Sequence, residues 1–373
     1  MPKISKTFCP SKWDDLHLNF NYNRAYACCK ASPINFVSDW SKELDRQKEN
    51  LLSDTQDPSC NYCWDIENQG GVSDRNAFMS TFDNTTYKEY VNNRQPKNIE
   101  VNLGNECNFQ CTYCGPTFSS KWEGDISKKH YEFKTDLHHY KIEPKSKENK
   151  ENNLDFLKQY DRIELLNVIG GEPLQNKNLF KLLDSVDNVD TLSITTNLSC
   201  SQKKLDKILQ LSKKYKKLRL GISIDSTDKI GEFTRLGLDF TQWKDNVDYI
   251  LDNMADNVEI IFLTLFTSLT IKDIANTIEL ITGYCGRTDS ATWRLSYCVS
   301  PKIQGFATVP EEEKIPYLIS LNTLRSQPFI KNVDSIIESL IVHRFDKKLY
   351  DELQEFLQEF SQRKNIKIPY EFL

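Results

Sequence analysis

The stretch Cys107-Asn108-Phe109-Gln110-Cys111-Thr112-Tyr113-Cys114 carries three cysteines at C-x3-C-x2-C spacing, just after the apolar run Ile99-Glu100-Val101-Asn102-Leu103. That run predicts a strand, so the cysteines fall on the loop leaving it. Three thiols so close together, in a chain expected in the cytoplasm, point to a metal rather than to disulfides. Three ligands are one short of a closed tetrahedral zinc site. A four-iron cluster held by three cysteines instead keeps one iron open for a further ligand.

Working outward, the 373 residues leave room for a full domain and a smaller one, and a hydrophobic content of 39% excludes wholesale disorder. No apolar run approaches membrane-spanning length, and Met1-Pro2-Lys3-Ile4-Ser5-Lys6 is not followed by the apolar core of a secretory signal. The expected location is the cytoplasm, with no membrane partner. The net charge of −5 does not mark a nucleic-acid binder. Only residues 203–219 are locally basic, with lysines interleaved with Leu205, Ile208, Leu209 and Leu211 at helical spacing. The solvated face of an outer helix is the first reading there, and an RNA-binding stripe the second.

Six β-rich runs, at 99–103, 163–169, 191–195, 218–224, 258–266 and 292–299, alternate with amphipathic runs near 176–186, 201–216, 241–254 and 271–284. This alternation predicts βα units and a parallel sheet. Chemistry-bearing residues follow the strands: Gly170-Gly171-Glu172-Pro173 after the second, and Thr195-Thr196-Asn197-Leu198-Ser199 after the third. The fourth ends in Ser223-Ile224-Asp225-Ser226, where alternation puts Ser223 and Asp225 on one face, and Arg235 lies shortly beyond.

The cysteine spacing, with aromatic Tyr113 before the third cysteine and Gly-Gly-Glu one strand later, resembles the radical SAM superfamily. The resemblance implies an α/β fold with a partial (β/α)6 TIM-like barrel over residues 96–305. It also implies a catalytic 4Fe–4S cluster on Cys107, Cys111 and Cys114, with S-adenosylmethionine on the open iron. Reductive cleavage of that cofactor would give a 5′-deoxyadenosyl radical that abstracts hydrogen from a substrate. Gly170, Gly171 and Glu172 match the motif that binds the cofactor's amino group. Ser223 and Asp225 would face its ribose, Arg235 its carboxylate, and Tyr113 joins the cofactor-binding set. Asn197 either lies near the cofactor or caps the next helix. An electron donor such as flavodoxin or ferredoxin is implied.

Residues 1–95 form a cysteine-rich region of their own. Leu16, Leu18 and Phe20 alternate as in a strand, Asn21-Tyr22-Asn23-Arg24 predicts a turn, residues 25–29 return, and a polar helix is expected over 37–52. Cys9, one of Cys28 or Cys29, Cys60 and Cys63 supply four thiols, a closed set that suits zinc or a fully ligated iron–sulfur cluster. Cys9-Pro10 with Trp13, the element Asn23 to Cys28, and Cys60-Asn61-Tyr62-Cys63 with Glu67, Gly70, Ser73 and Arg75 resemble the twitch or SPASM auxiliary-cluster modules. That resemblance favours Cys28 over Cys29 and implies a second, auxiliary 4Fe–4S cluster. The module stands here before the barrel, whereas it usually follows it, and Asn23 replaces a glycine.

Residues 306–373 predict a helical extension, with runs near 311–326, 331–342 and 347–363. Residues 141–153 are charged and aperiodic, and read as a mobile loop or insertion. His130, His138 and His139 read as surface histidines. Tyr297 and Cys298 are candidates for substrate contact or radical relay, with buried structural roles the first reading; Cys200 and Cys285 read as structural. The expected activity is oxidative modification of a peptide or protein side chain. Modification of a nucleoside, tRNA base or sugar is the first alternative, and a non-catalytic iron–sulfur or zinc protein the second.

Overall fold

The computed structural model describes residues 4–35, 40–93, 95–131, 139–145 and 155–372. Its strands, in chain order, begin with β1 (Asp15–Asn19), β2 (Arg24–Tyr26), β3 (Ile34–Asn35), β4 (Asn98–Asn102), β5 (Gln110–Cys111) and β6 (Ile163–Ile169). They continue with β7 (Val189–Thr196), β8 (Lys217–Ser223), β9 (Arg235–Leu236), β10 (Val258–Phe266), β11 (Ala291–Tyr297) and β12 (Ile330–Lys331). The result is a mixed α/β fold with a large, mostly parallel sheet. No helix among the described residues is long and apolar enough to cross a membrane.

The chain divides into two compact units. The first comprises Met1–Gly104, Pro144–Gly170 and Lys177–Ser193. Its strands run in the order β3-β2-β1-β4-β6-β7. Leu16 and Leu18 of β1 are buried, as their alternation predicts. Asn23 takes a φ of +49° at the turn into β2, a left-handed conformation that asparagine tolerates well. β1 then pairs in parallel with β4, Asp15 opposite Asn98 and Asn19 opposite Asn102, and β4 pairs in parallel with β6. The N-terminal hairpin thus continues the sheet through a long-range pairing that no local signal announces. Phe8, Trp13, Leu51, Trp64 and Tyr87 form the apolar cluster beside the hairpin, with the Phe8 ring 4.9 Å from both Trp13 and Tyr87. The polar helix expected over 37–52 is described from Trp40–Leu52; its first residues lie outside the described residues.

The second unit comprises Asn105–Glu143, Gly171–Asn176 and Ile194–Leu373. Here the order is β7-β8-β10-β11-β12, with β8, β10, β11 and β12 parallel. Helices Gln202–Leu211, Phe240–Asn253 and Ile274–Cys285 stand where the amphipathic runs predict them. Helix Gln202–Leu211 buries Leu205 and Ile208 and exposes Lys203 and Lys207, the solvated outer face read from its spacing. The C-terminal region forms helices Glu311–Asn322, Val333–Val342 and Lys347–Lys364. The last of these buries Leu353, Phe356, Leu357 and Phe360 against Trp122, Ile126 and Phe233. The expected insertion at 141–153 lies mostly outside the described residues.

Candidate active site

The loop after β4 is held by side chains from three distant segments of the second unit. Ser120 donates its backbone N–H to Asn105 O at 2.7 Å, and its hydroxyl accepts from Cys107 N at 3.2 Å. Ser119 Oγ donates to Phe109 O at 2.8 Å, and Trp122 Nε1 to Cys111 O at 2.7 Å. Both come from the start of helix Ser120–Ile126, which Ser119 caps. At its centre, Cys111 of β5 pairs antiparallel with Arg235 of β9. Gln304 donates Nε2 to Thr112 O at 2.6 Å and accepts from Thr112 Oγ1 at 2.9 Å. Burial of these polar groups with their partners satisfied makes the loop rigid.

All three thiols resist ionisation. Burial, then the neighbouring Cys111, pushes Cys107 up to about 12. Burial, then Cys111 and Cys107, raises Cys114, and burial raises Cys111 against the lowering charge of Arg235. Both causes, desolvation and mutual repulsion, are offset when thiolates bind a metal cation, so this donor set fits a metal centre. Among the described residues, no group of three His, Cys, Asp or Glu side chains is arranged to hold a single metal ion.

The Gly-Gly-Glu turn is built by close backbone approach. Gly170 has φ +152°, and a Cβ there would meet Gly104 O at 2.8 Å. A Cβ on Gly171 would come within 2.5 Å of Glu106 O and 2.7 Å of Asn105 O, so only glycine fits against the backbone just ahead of Cys107. Glu172 is 2% exposed. Its carboxylate accepts from Leu174 N at 3.0 Å, Thr196 Oγ1 at 2.8 Å and Asn197 N at 2.6 Å. Burial nevertheless lifts its pKa, the hydrogen bonds opposing the lift. Three acceptor positions in use leave room for a further donor. Asn197 does not cap the following helix: it donates Nδ2 to Asn108 Oδ1 at 2.9 Å and accepts from Ser199 N at 2.9 Å. It thereby links the end of β7 to the residue after Cys107.

Asp225 and Arg235, both buried, form one cluster with the half-buried Tyr113. Arg235 Nη1 donates to Asp225 Oδ2 at 2.8 Å and to the Tyr113 hydroxyl at 3.0 Å, and that hydroxyl donates to Asp225 Oδ2. Asp225 Oδ1 accepts from Leu265 N at 2.8 Å. The guanidinium lies over the Phe109 ring at 5.7 Å. Arg235 Nε is buried with no hydrogen-bond partner. A guanidinium with an unused, desolvated N–H is what an incoming acceptor such as a carboxylate would satisfy. Ser223, at the end of β8, is half-buried. The resemblance assigns Asp225 and Arg235 separate contacts, whereas the structure joins them as an ion pair. Asn108, Ser120, Trp122 and Gln304 were not anticipated; Gln304 lies 192 positions from Thr112, beyond any local signal.

The second cysteine group lies wholly in the first unit. Burial, then Cys28, pushes Cys9 up to about 12, with Cys60 adding to the rise. Burial raises Cys28, which feels Lys12 and Cys60. Cys29 is exposed, and the charges acting on it are Lys30, Asp74 and Asp15. Cys63 stands one turn after Cys60 on helix Asn61–Asn68 and is buried. Glu67, Ser73 and Arg75 form one network: Ser73 Oγ donates to Glu67 at 2.5 Å, and Arg75 donates to Glu67 at 2.9 and 2.5 Å. Arg75 also donates to Lys6 O at 3.2 Å and Phe8 O at 3.1 Å, gripping the chain just before Cys9.

The remaining candidates fall elsewhere. Cys298 is buried with its thiol toward Pro301 O at 3.7 Å, and Tyr297, half-buried, stacks on Phe306 at 5.8 Å. Cys200 and Cys285 are buried. His130 is exposed, His139 bonds Ser300 Oγ at 3.0 Å, and His138 lies outside the described residues.

Residues 101–281 match the model of the Radical SAM superfamily. No curated protein matches the chain. Among solved structures, the chain is similar to Streptococcus suis SuiB bound to S-adenosylmethionine, at 12% identity over 88% of this chain and 70% of that one, with a TM-score of 0.41. A second Streptococcus suis SuiB structure aligns at 11% identity over 99% of this chain and 73% of that one, with a TM-score of 0.39.

Proposed function

We propose that this chain is a radical SAM enzyme acting oxidatively on a peptide or protein side chain. Cys107, Cys111 and Cys114 would hold its catalytic 4Fe–4S cluster. Gly170, Gly171, Glu172, Asn197, Ser223, Asp225, Arg235 and Tyr113 would surround S-adenosylmethionine. The observation that carries the reading is the superfamily match across a stretch in which the three-cysteine loop is pinned on both sides and packs on the Gly-Gly-Glu turn.

When bound, the cluster and S-adenosylmethionine supply a radical able to abstract hydrogen. The chain's own residues position and shield. Gly171 lets the turn backbone close onto residues 105–106. Glu172 gathers three donors and keeps acceptor capacity for an ammonium group. Arg235, oriented by Asp225 and Tyr113, keeps Nε for an acceptor. Burial of Asp225 and Arg235 excludes water and strengthens the contacts between them.

Cys9, Cys28, Cys60 and Cys63 are assigned to a second 4Fe–4S cluster in a module spanning 1–95, ahead of a catalytic region at 96–305 and a helical extension at 306–373. That second electron-accepting site is the reason for an oxidative reaction. A flavodoxin or ferredoxin would supply electrons, in the cytoplasm.

The test is 5′-deoxyadenosine formation from S-adenosylmethionine under reducing, anaerobic conditions, with iron and sulfide measured per chain. About eight irons, falling to about four in Cys107/Cys111/Cys114→Ala, together with 5′-deoxyadenosine only in the parent, are expected. A fully iron-loaded parent that makes no 5′-deoxyadenosine with any peptide, nucleoside or sugar offered would sink the proposal.

A further inference from the structure

Lys12 is 2% exposed, on the short helix Ser11–Asp14 that follows Cys9. Its ammonium donates to Ser59 Oγ at 2.9 Å and to Cys60 Sγ at 3.6 Å. Among the described residues no carboxylate forms an ion pair with it. Asp15 and Asp45 line the same cavity of about 250 Å³. Asp15, however, accepts from Ser11 Oγ at 2.5 Å and Asn98 Nδ2 at 3.1 Å. Asp57, next to Ser59, is taken up by Arg46 at 3.2 Å and Asn50 at 2.8 Å. A buried ammonium without a counter-charge is costly, because its lost hydration is not replaced. The groups that touch or closely surround it and can carry a counter-charge are cysteines: Cys60 in contact, Cys28 within its field, and Cys9 near its backbone N–H, while Asp45 lines the cavity without an ion pair to it.

We infer that Lys12 is the counter-cation of the N-terminal four-cysteine centre, donating a charge-assisted hydrogen bond to the Cys60 thiolate and setting the reduction potential of the cluster held there. This rests on the auxiliary-cluster reading above. Four thiolates make such a centre anionic, and each added electron makes it more so. A fixed ammonium at one sulfur favours the reduced form and raises the potential. Ser59, which accepts from Lys12 and lies 3.8 Å from Cys60 Sγ, holds the ammonium at that sulfur. Lys12 is thus a positioning residue: it acts through Cys60.

The test uses the full chain carrying Cys107/Cys111/Cys114→Ala, so that only the N-terminal cluster remains, with Lys12→Met and Lys12→Arg added separately. Iron and sulfide per chain, far-ultraviolet circular dichroism and an electron paramagnetic resonance redox titration are measured. The expected result is a midpoint potential moved to more negative values in K12M at equal iron content, and largely restored in K12R. Iron lost from K12M but retained in K12R, with the circular dichroism unchanged, also supports the inference. An unchanged potential and iron content in K12M overturns it, as does equal loss in both variants with native circular dichroism. Zinc in place of iron in the parent would overturn the cluster reading instead. Lys12 is then judged by zinc retention against a chelator: weaker retention in K12M upholds the counter-cation role, and equal retention overturns it.

Discussion

Asp225→Asn isolates the charge of the buried cluster at the centre of the candidate site. Asparagine keeps the shape of the side chain, and its Oδ1 still accepts from Leu265 N, as Asp225 does at 2.8 Å. What disappears is the negative charge facing Arg235 Nη1 at 2.8 Å. Asp225 is 1% and Arg235 6% exposed, so water does not replace the lost partner. Removing one member of a buried pair costs about 3–5 kcal/mol, chiefly because the other charge is stranded. With a urea slope of about 3 kcal/mol per M, the unfolding midpoint should fall by about 1 M or more. Urea unfolding followed by circular dichroism measures it. Asp225→Asn/Arg235→Met removes the stranded charge as well and should regain most of the loss. A single variant within about 0.5 kcal/mol of the parent, or a double variant no better than the single, would refute the reasoning.

Other outcomes follow from the same geometry. Gly171→Ala drives a methyl group to 2.5 Å from Glu106 O, so it should cost about 1–3 kcal/mol and lower iron loading at the three-cysteine loop, read by iron and sulfide assay. Arg75→Ala removes the grip on Lys6 and Phe8 as well as the bonds to Glu67; a loss of about 2–3 kcal/mol and faster iron release from the N-terminal site under chelator are expected. Glu67 supplies a pH test. Burial opposes its ionisation, but Arg75 and Ser73 outweigh it and hold the pKa below the ordinary 4.5. A folded pKa below the unfolded one stabilises the protein above about 4.5 and loses that contribution as pH falls through the folded value. Glu67→Gln should therefore destabilise at pH 7, with the difference from the parent shrinking below pH 4.5 in thermal melts. Cys285→Ala and Cys298→Ala should leave iron content unchanged, because both thiols are buried in structural positions.

The sequence by itself determined the parts governed by local spacing. Strands at 163–169 and 258–266 appear at the residues their apolar runs marked, because side-chain alternation and βα periodicity are properties of short segments. The same holds for Cys107, Cys111 and Cys114, whose intervals are set by neighbours in the chain, and for the glycines at 170 and 171, whose need is visible as a close-approach turn. β3, β5, β9 and β12, each two residues long, gave no periodicity to read.

Tertiary structure decided everything that depends on residues far apart. It set the pairing of β1 with β4, the union of Asp225 with Arg235 and Tyr113, the clasp of Gln304 on Thr112, and the approach of Lys12 to Cys60. Nothing in the neighbourhood of Lys12 in the chain distinguishes it from a solvated lysine; its meaning comes from burial. A charge removed from water must find compensation, and which group provides it is settled only when segments 48 residues apart meet.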